Sequence, residues 1–131
     1  MRELPDSARK VLEGKNFVFF ATLNRDGSPQ VTPMWVDTDG THILVNTAVG
    51  RVKQRNVKRD PRVAVAIVEQ SNPYKMVAIQ GRVVEQTTGP EAETHIDKLA
   101  MKYMGVQKYQ RRRPEQRIIL KIEPKSVAGM G

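Results

Sequence analysis

The run Phe17-Val18-Phe19-Phe20-Ala21-Thr22-Leu23, β-branched and aromatic, breaks into Asn24-Arg25-Asp26-Gly27-Ser28. An Asp-Gly pair favours the positive φ angles of a tight hairpin turn, so the segment reads as strand, turn, strand. Pro29 to Val36 continues as the second strand, Asp39-Gly40 turns again, and Ile43-Leu44-Val45-Asn46-Thr47 returns. Three successive antiparallel strands at this spacing make the N-terminal half a meander of the kind that builds small barrels and sandwiches. Ahead of it, apolar residues at Leu4, Ala8, Val11 and Leu12, with Asp6-Ser7 near the start and Gly14 at the end, predict a short amphipathic helix.

Gly50 opens a polar segment that runs to Arg59 and stops at Asp60-Pro61, because proline disfavours helix in the residue before it. A short connecting helix fits. Two further strands, Arg62 to Val68 and Met76 to Glu85, flank a loop from Glu69 to Lys75. Thr88-Gly89-Pro90 starts a helix on which Ile96, Leu99, Ala100, Tyr103 and Met104 share a face, and Gly105 ends it. A basic loop, Lys108 to Arg117, leads to a last strand, Ile118 to Ile122, closed by Glu123-Pro124. With 131 residues and no linker, the expectation is one domain, residues 1–131: a mainly β, six-stranded antiparallel barrel, closed or partly open, with short helices at the connections.

Composition narrows the chemistry. There is no cysteine, which excludes disulfides, thiolate metal sites and a cysteine nucleophile, and only His42 and His95 offer imidazole. Both read as surface residues without a triad partner, and no metal site is expected. No stretch approaches the roughly 20 apolar residues of a membrane span, and the first residues lack an apolar signal core, so a cytoplasmic protein that does not engage membranes is expected. Lys and Arg total 22 against 14 Asp and Glu, a net charge of +8 that calls for a polyanionic partner.

The densest basic run is Arg51-Val52-Lys53-Gln54-Arg55-Asn56-Val57-Lys58-Arg59. At about 100° per residue, Arg51, Arg55, Lys58 and Arg59 form a solvated side. Val52 and Val57 mark the side expected to face the core, with Lys53 and Asn56 in the arc between them. A half-buried lysine needs an anion, and a phosphate at a helix start, where Gly50 permits close backbone approach, would satisfy both Lys53 and the free N–H groups. A lysine that snorkels to solvent is the alternative.

Strand, Asp-Gly, strand, followed by Asn46-Thr47-Ala48-Val49-Gly50-Arg51-Val52-Lys53-Gln54-Arg55-Asn56-Val57 and Arg59-Asp60-Pro61-Arg62-Val63, resembles the split β-barrel superfamily of pyridoxamine 5′-phosphate oxidases and flavin- and deazaflavin-dependent oxidoreductases. The resemblance spans Phe17 to about Ile122. It implies a homodimer with the cofactor in a groove between subunits. It also implies that Arg51 and Lys53 hold the cofactor phosphate, that Thr47 adds a hydroxyl, and that Asn46, Gly50 and Asn56 support the site. Thr32, Pro33, Met34 and Trp35 would line the ring system, and Arg117 would reach across subunits. The basic pair is separated by Val52, as in the branch that resembles coenzyme F420 oxidoreductases, rather than adjacent as in the pyridoxamine oxidases. No counterpart of the substrate-phosphate residues of the latter is visible.

The resemblance thus implies an F420-dependent oxidoreductase that passes a hydride to an activated double bond of a small molecule. F420 carries a phosphodiester and several carboxylates, whereas FMN carries one phosphate. Arg55, Lys58, Arg59 and the loop Arg111-Arg112-Arg113 suit the longer anion, although a charge run also serves solubility. Phe17, Phe19 and Tyr103 read as core, Trp35 as facing either the groove or a dimer contact, and Tyr74 as a loop residue and candidate proton donor. An FMN-binding relative and a non-catalytic cofactor-binding protein stay open as alternatives. So does a basic nucleic-acid-binding barrel, which the lack of aromatics among the basic residues disfavours.

Overall fold

The computed structural model describes residues 2–111 and 114–130. The chain runs α1 (Asp6–Glu13), β1 (Val18–Leu23), β2 (Pro29–Met34), β3 (Asp37–Thr38), β4 (Ile43–Ala48), α2 (Val52–Arg59), β5 (Arg62–Glu69), β6 (Asn72–Thr87), α3 (Pro90–Met104) and β7 (Arg117–Met130). All seven strands form one curled antiparallel sheet in the order β2-β1-β5-β6-β7-β4-β3, a split half-barrel. The expected six strands become seven because the two-residue β3 pairs with β4 after the β2 segment ends. No helix among the described residues is long and apolar enough to cross a membrane.

Alternation fills the barrel from one face of each strand. Val18 and Phe20 of β1, Val63, Val65 and Ile67 of β5, Ile79 of β6, Ile43 and Val45 of β4, and Leu120 and Ile122 of β7 form the core, with Leu4, Val11 and Leu12 of the α1 region packed on it. Phe17 and Phe19 therefore point outward, at 48% and 46% exposure, and not into the core as the sequence suggests. A period of two fixes that they share a face but not which face is inside.

Two strands run further than their sequence signals. β7 passes through Glu123-Pro124 to Met130 because the ladder to β6 shifts register there: Gln80 faces Ser126 while Gly81 faces Pro124. A bulge tolerates a residue that lacks an N–H. A Cβ on Gly81 would lie 2.5 Å from the Glu123 carbonyl oxygen, so this crossing needs glycine. On the other side, Glu69 pairs with Asn72, which shortens the expected loop to a tight turn and puts Tyr74 on β6.

Helix α3 buries Ile96, Leu99, Ala100 and Tyr103 as its spacing predicts, but Met104 is exposed and His95 is buried at 8% exposure. The Tyr103 ring stacks on Trp35 with centroids 5.2 Å apart, and its hydroxyl takes the Val36 N–H at 3.1 Å. These contacts pin the link between β2 and β3 to the helix.

Candidate functional site

Helix α2 follows β4 through a turn that only glycine makes easily. Gly50 has φ +93°, and its N–H donates to the Gln54 side-chain oxygen at 3.0 Å. Arg51, extended, occupies the N-cap position without a side-chain cap, and the first turn carries no acidic residue. The free N–H groups of such a helix start present partial positive charge. Lys53 sits on this turn, half-buried, and its ammonium is held below the usual lysine range by burial first, then by the charges of Arg51 and Arg117. Among the described residues, no carboxylate pairs with it.

The two arginines are, by contrast, partnered. Arg51 donates to Glu115 Oε2 at 2.8 Å, and Arg117 donates from Nη1 to Glu115 Oε1 at 2.6 Å. Burial would raise the Glu115 carboxyl, but the hydrogen bond and charge of Arg117, together with Arg51, hold it below its ordinary value. Arg117 is only 3% exposed, lies 5.1 Å from the Tyr109 ring centroid, and donates from Nε to Asn46 Oδ1 at 2.9 Å. The site thus carries Lys53, Arg51 and Arg117 around the Glu115 carboxylate, and Glu93 Oε2 accepts the Arg117 backbone N–H at 3.3 Å.

The far end of α2 is clamped to the first hairpin. Asn56 Nδ2 donates to Thr22 Oγ1 and to Asn24 Oδ1, both at 2.9 Å, and Arg59 donates to the Leu23 carbonyl at 2.6 Å. The buried side of α2 is Gln54, Asn56 and Val57, while Val52, expected inside, is exposed. The reason is that the end of the barrel offers polar groups: Gln54 meets Gln86 at 3.3 Å and Asn56 meets Thr22. Asn56 thus fixes the helix, and Arg59, assigned to a solvated face, is tied to the hairpin.

The remaining positions divide. Thr47 on β4 and Thr32 on β2 each bury a hydroxyl that finds no hydrogen-bond partner among the described residues, which in a native fold asks for a water or a ligand. Pro33 is exposed opposite Phe19, and Met34 packs on the core. Trp35 stands edge-on to Tyr109 at 6.0 Å, which links it to Arg117 through one ring. Tyr74, at 75% exposure, stands near the Asn72 end of β6, while Gln86, which meets α2, is at the other end of that strand. Within one chain the structure does not bring Tyr74 to the basic cluster. Arg111 pairs with Glu93, and Arg112 and Arg113 lie outside the described residues.

Sequence reasoning passes over Glu115 and puts His95 on the wrong side of the surface. Glu115 could have been flagged as an acid inside an otherwise basic loop, two residues from Arg117 and so on the same side of an extended chain. His95, expected at the surface, is instead buried between Asp37 and Asn46, at 3.0 Å and 3.1 Å from its two ring nitrogens. Burial raises the Asp37 carboxyl, but the hydrogen bonds from His95, the Thr38 N–H and Lys98 outweigh it and keep it well below the carboxylate range.

Comparison with known proteins places the fold. Residues 4–131 match the family described as pyridoxamine 5′-phosphate oxidase. An F420 reductase structure superposes with TM-score 0.81 at 27% identity, covering 95% of this chain and 98% of that one. A conserved hypothetical protein from Mycobacterium tuberculosis gives TM-score 0.75 at 20% identity, covering 99% of this chain and 89% of that one. A candidate pyridoxamine 5′-phosphate oxidase from Listeria innocua gives 0.67 at 18%, covering 92% of each chain.

Proposed function

The chain belongs to the pyridoxamine 5′-phosphate oxidase family, whose members bind flavin-type cofactors, and on that footing we propose that it is an oxidoreductase dependent on coenzyme F420. The observation that carries the reading is Lys53: a half-buried cation without a carboxylate partner among the described residues, at an uncapped helix start, beside Arg51 and Arg117. That set fits a phosphate, since a charge-assisted hydrogen bond would relieve both the desolvated ammonium and the free N–H groups. On the strand that leads into this turn, the buried hydroxyl of Thr47 has no partner among the described residues. When bound, a deazaflavin supplies hydride transfer to an activated double bond.

The residues of the chain do the rest. Lys53 and the first turn of α2 hold the phosphate, and Arg51 and Arg117 set its electrostatics through Glu115. Trp35, braced on Tyr103, presents an aromatic wall where the chain leaves β2. Exposed Arg55 and Lys58 extend positive charge along α2, where an acidic tail would be drawn. The likeness to the F420 reductase supports deazaflavin over flavin. FMN is the second reading, because one phosphate is enough to satisfy Lys53.

We further propose a homodimer. Pro33, Phe19, Ala66, Ala78 and Ala128 are cross-strand neighbours over five strands, all exposed on the outer face of the sheet. An exposed apolar row of this kind suits burial against a second copy.

Trp35 is the only tryptophan, so adding F420 and FMN separately and following its fluorescence tests the reading. A saturable change with F420 at lower concentration than with FMN supports it. A response to FMN alone selects the second reading, and no response to either would overturn the phosphate assignment.

A further inference from the structure

A continuous chain of buried side chains joins His95 to the basic cluster. The Asp37 carboxylate can only accept, so His95 Nε2 carries the hydrogen that it receives at 3.0 Å. His95 Nδ1 is then a bare lone pair, facing Asn46 Nδ2 at 3.1 Å. The second hydrogen of Asn46 Nδ2 goes to the Ala92 carbonyl at 3.0 Å, which leaves Asn46 Oδ1 aimed at Arg117 Nε at 2.9 Å. Each group has one role left, and each role is filled. Glu115 holds Nη1 of the same guanidinium at 2.6 Å and the Asn46 backbone carbonyl lies 3.4 Å from Nη2, so it is the Nε contact of Arg117 that follows from the tautomer of a histidine it does not touch.

We propose that His95 is a positioning residue for the anion site: in its neutral Nε2–H form it fixes the Asn46 amide, and through it Arg117. This rests on the reading that the site binds a phosphate. A proton on Nδ1 would confront the Asn46 NH2 with a second donor. Rotation of the amide would relieve that clash, but it would turn the NH2 group onto Arg117 Nε–H and abandon the Ala92 carbonyl. Neutral histidine keeps Asn46 Oδ1 on Arg117 Nε, and charged histidine removes that contact and leaves the guanidinium to Glu115 and the Asn46 carbonyl.

The other charged groups around His95 are the carboxylates Asp37, Asp39 and Glu85, all held below their ordinary values, and the cationic side chains of Lys98, Lys121 and Arg117. Glu91 lies on the same helix and lines the same cleft. A free imidazole gains a proton between about pH 8 and about pH 5.5, which is the range to be spanned.

The test compares His95→Asn and His95→Leu with the parent protein, with FMN and F420 titrated by calorimetry at both ends of that range. Asparagine places an acceptor near the Nδ1 position and does not titrate, whereas leucine removes the acceptor. Expected is parent-like affinity for His95→Asn at high pH, with a smaller loss on acidification than the parent shows. His95→Leu should bind roughly five- to tenfold more weakly at high pH, the scale of one lost hydrogen bond. In parallel, nitrogen NMR of the ligand-free protein should show His95 as the Nε2–H tautomer, and an Arg117 Nε–H signal that shifts in His95→Leu and on acidification.

Parent-like affinity in His95→Leu, or the parent's full pH dependence in His95→Asn, would overturn the proposal. So would an Nδ1–H tautomer, or an Arg117 signal that stays fixed on acidification of the parent protein. The last two need neither a ligand nor a folded leucine variant. Failure of the phosphate reading shows differently: Lys53→Ala would bind as the parent does, while the tautomer and the Arg117 signal would still behave as stated.

Discussion

Arg51 donates to Glu115 at 2.8 Å across 64 positions of sequence, so one of the arginines assigned to phosphate binding is already held by a carboxylate of its own chain. The same carboxylate receives Arg117. The cluster is therefore only partly neutralised, with Lys53 the cation left without a carboxylate among the described residues and both guanidinium groups preset by Glu115.

Replacing Glu115 with Gln tests that balance. Removal of one negative charge should tighten binding of a small phosphate ligand and steepen its salt dependence. It should also destabilise the protein by about 1–3 kcal/mol, because buried Arg117 loses a charged partner. Calorimetry at two salt concentrations and urea unfolding give both numbers. Weaker binding in Glu115→Gln would mean that the carboxylate orients the arginines more than it offsets them.

Lys53→Met separates binding from stability. Burial and the neighbouring arginines disfavour the ammonium in the free protein, so its removal should leave the melting temperature unchanged or raise it. Cofactor affinity should fall by about 1–3 kcal/mol. Loss of stability with intact affinity would reverse the assignment.

Asp37 ties stability to acid pH. Its carboxyl is held below the unfolded value, so its contribution is present above about pH 4 and is lost as pH falls toward the folded value. Asp37→Asn should be less stable than the parent at pH 7, and the gap should narrow below about pH 4. Urea unfolding at pH 7 and pH 3 measures it, and a constant gap would show that the loss is not electrostatic.

Phe19→Glu addresses the sheet face. Light scattering at micromolar concentration should give twice 14.8 kDa for the parent protein and 14.8 kDa for the variant. A monomeric parent would count against a site shared between subunits.

Gly81→Ala serves as a fold-only control. The added carbon would press on the Glu123 carbonyl at 2.5 Å, at the register shift between β6 and β7 and not on a residue of the basic cluster. Thermal unfolding should show destabilisation of about 1–3 kcal/mol with unchanged cofactor affinity per folded molecule. A parent-like melting temperature would mean that the bulge adapts.

What the sequence determined by itself is local. Asp26-Gly27 and Gly50 mark turns that need positive φ, Asp60-Pro61 ends α2, and the spacing of Ile96, Leu99, Ala100 and Tyr103 defines a buried helix face. The motif from Asn46 to Val63 identifies the family and singles out Lys53. Tertiary structure alone decided which face of β1 turns inward, that β7 absorbs Pro124 in a bulge against Gly81, that Glu115 meets Arg51, and that His95 meets Asp37 across 58 positions. The physical reason is that turn chemistry and periodicity act over a few residues, whereas these relationships depend on ladder register, and a shift of one residue changes every partner.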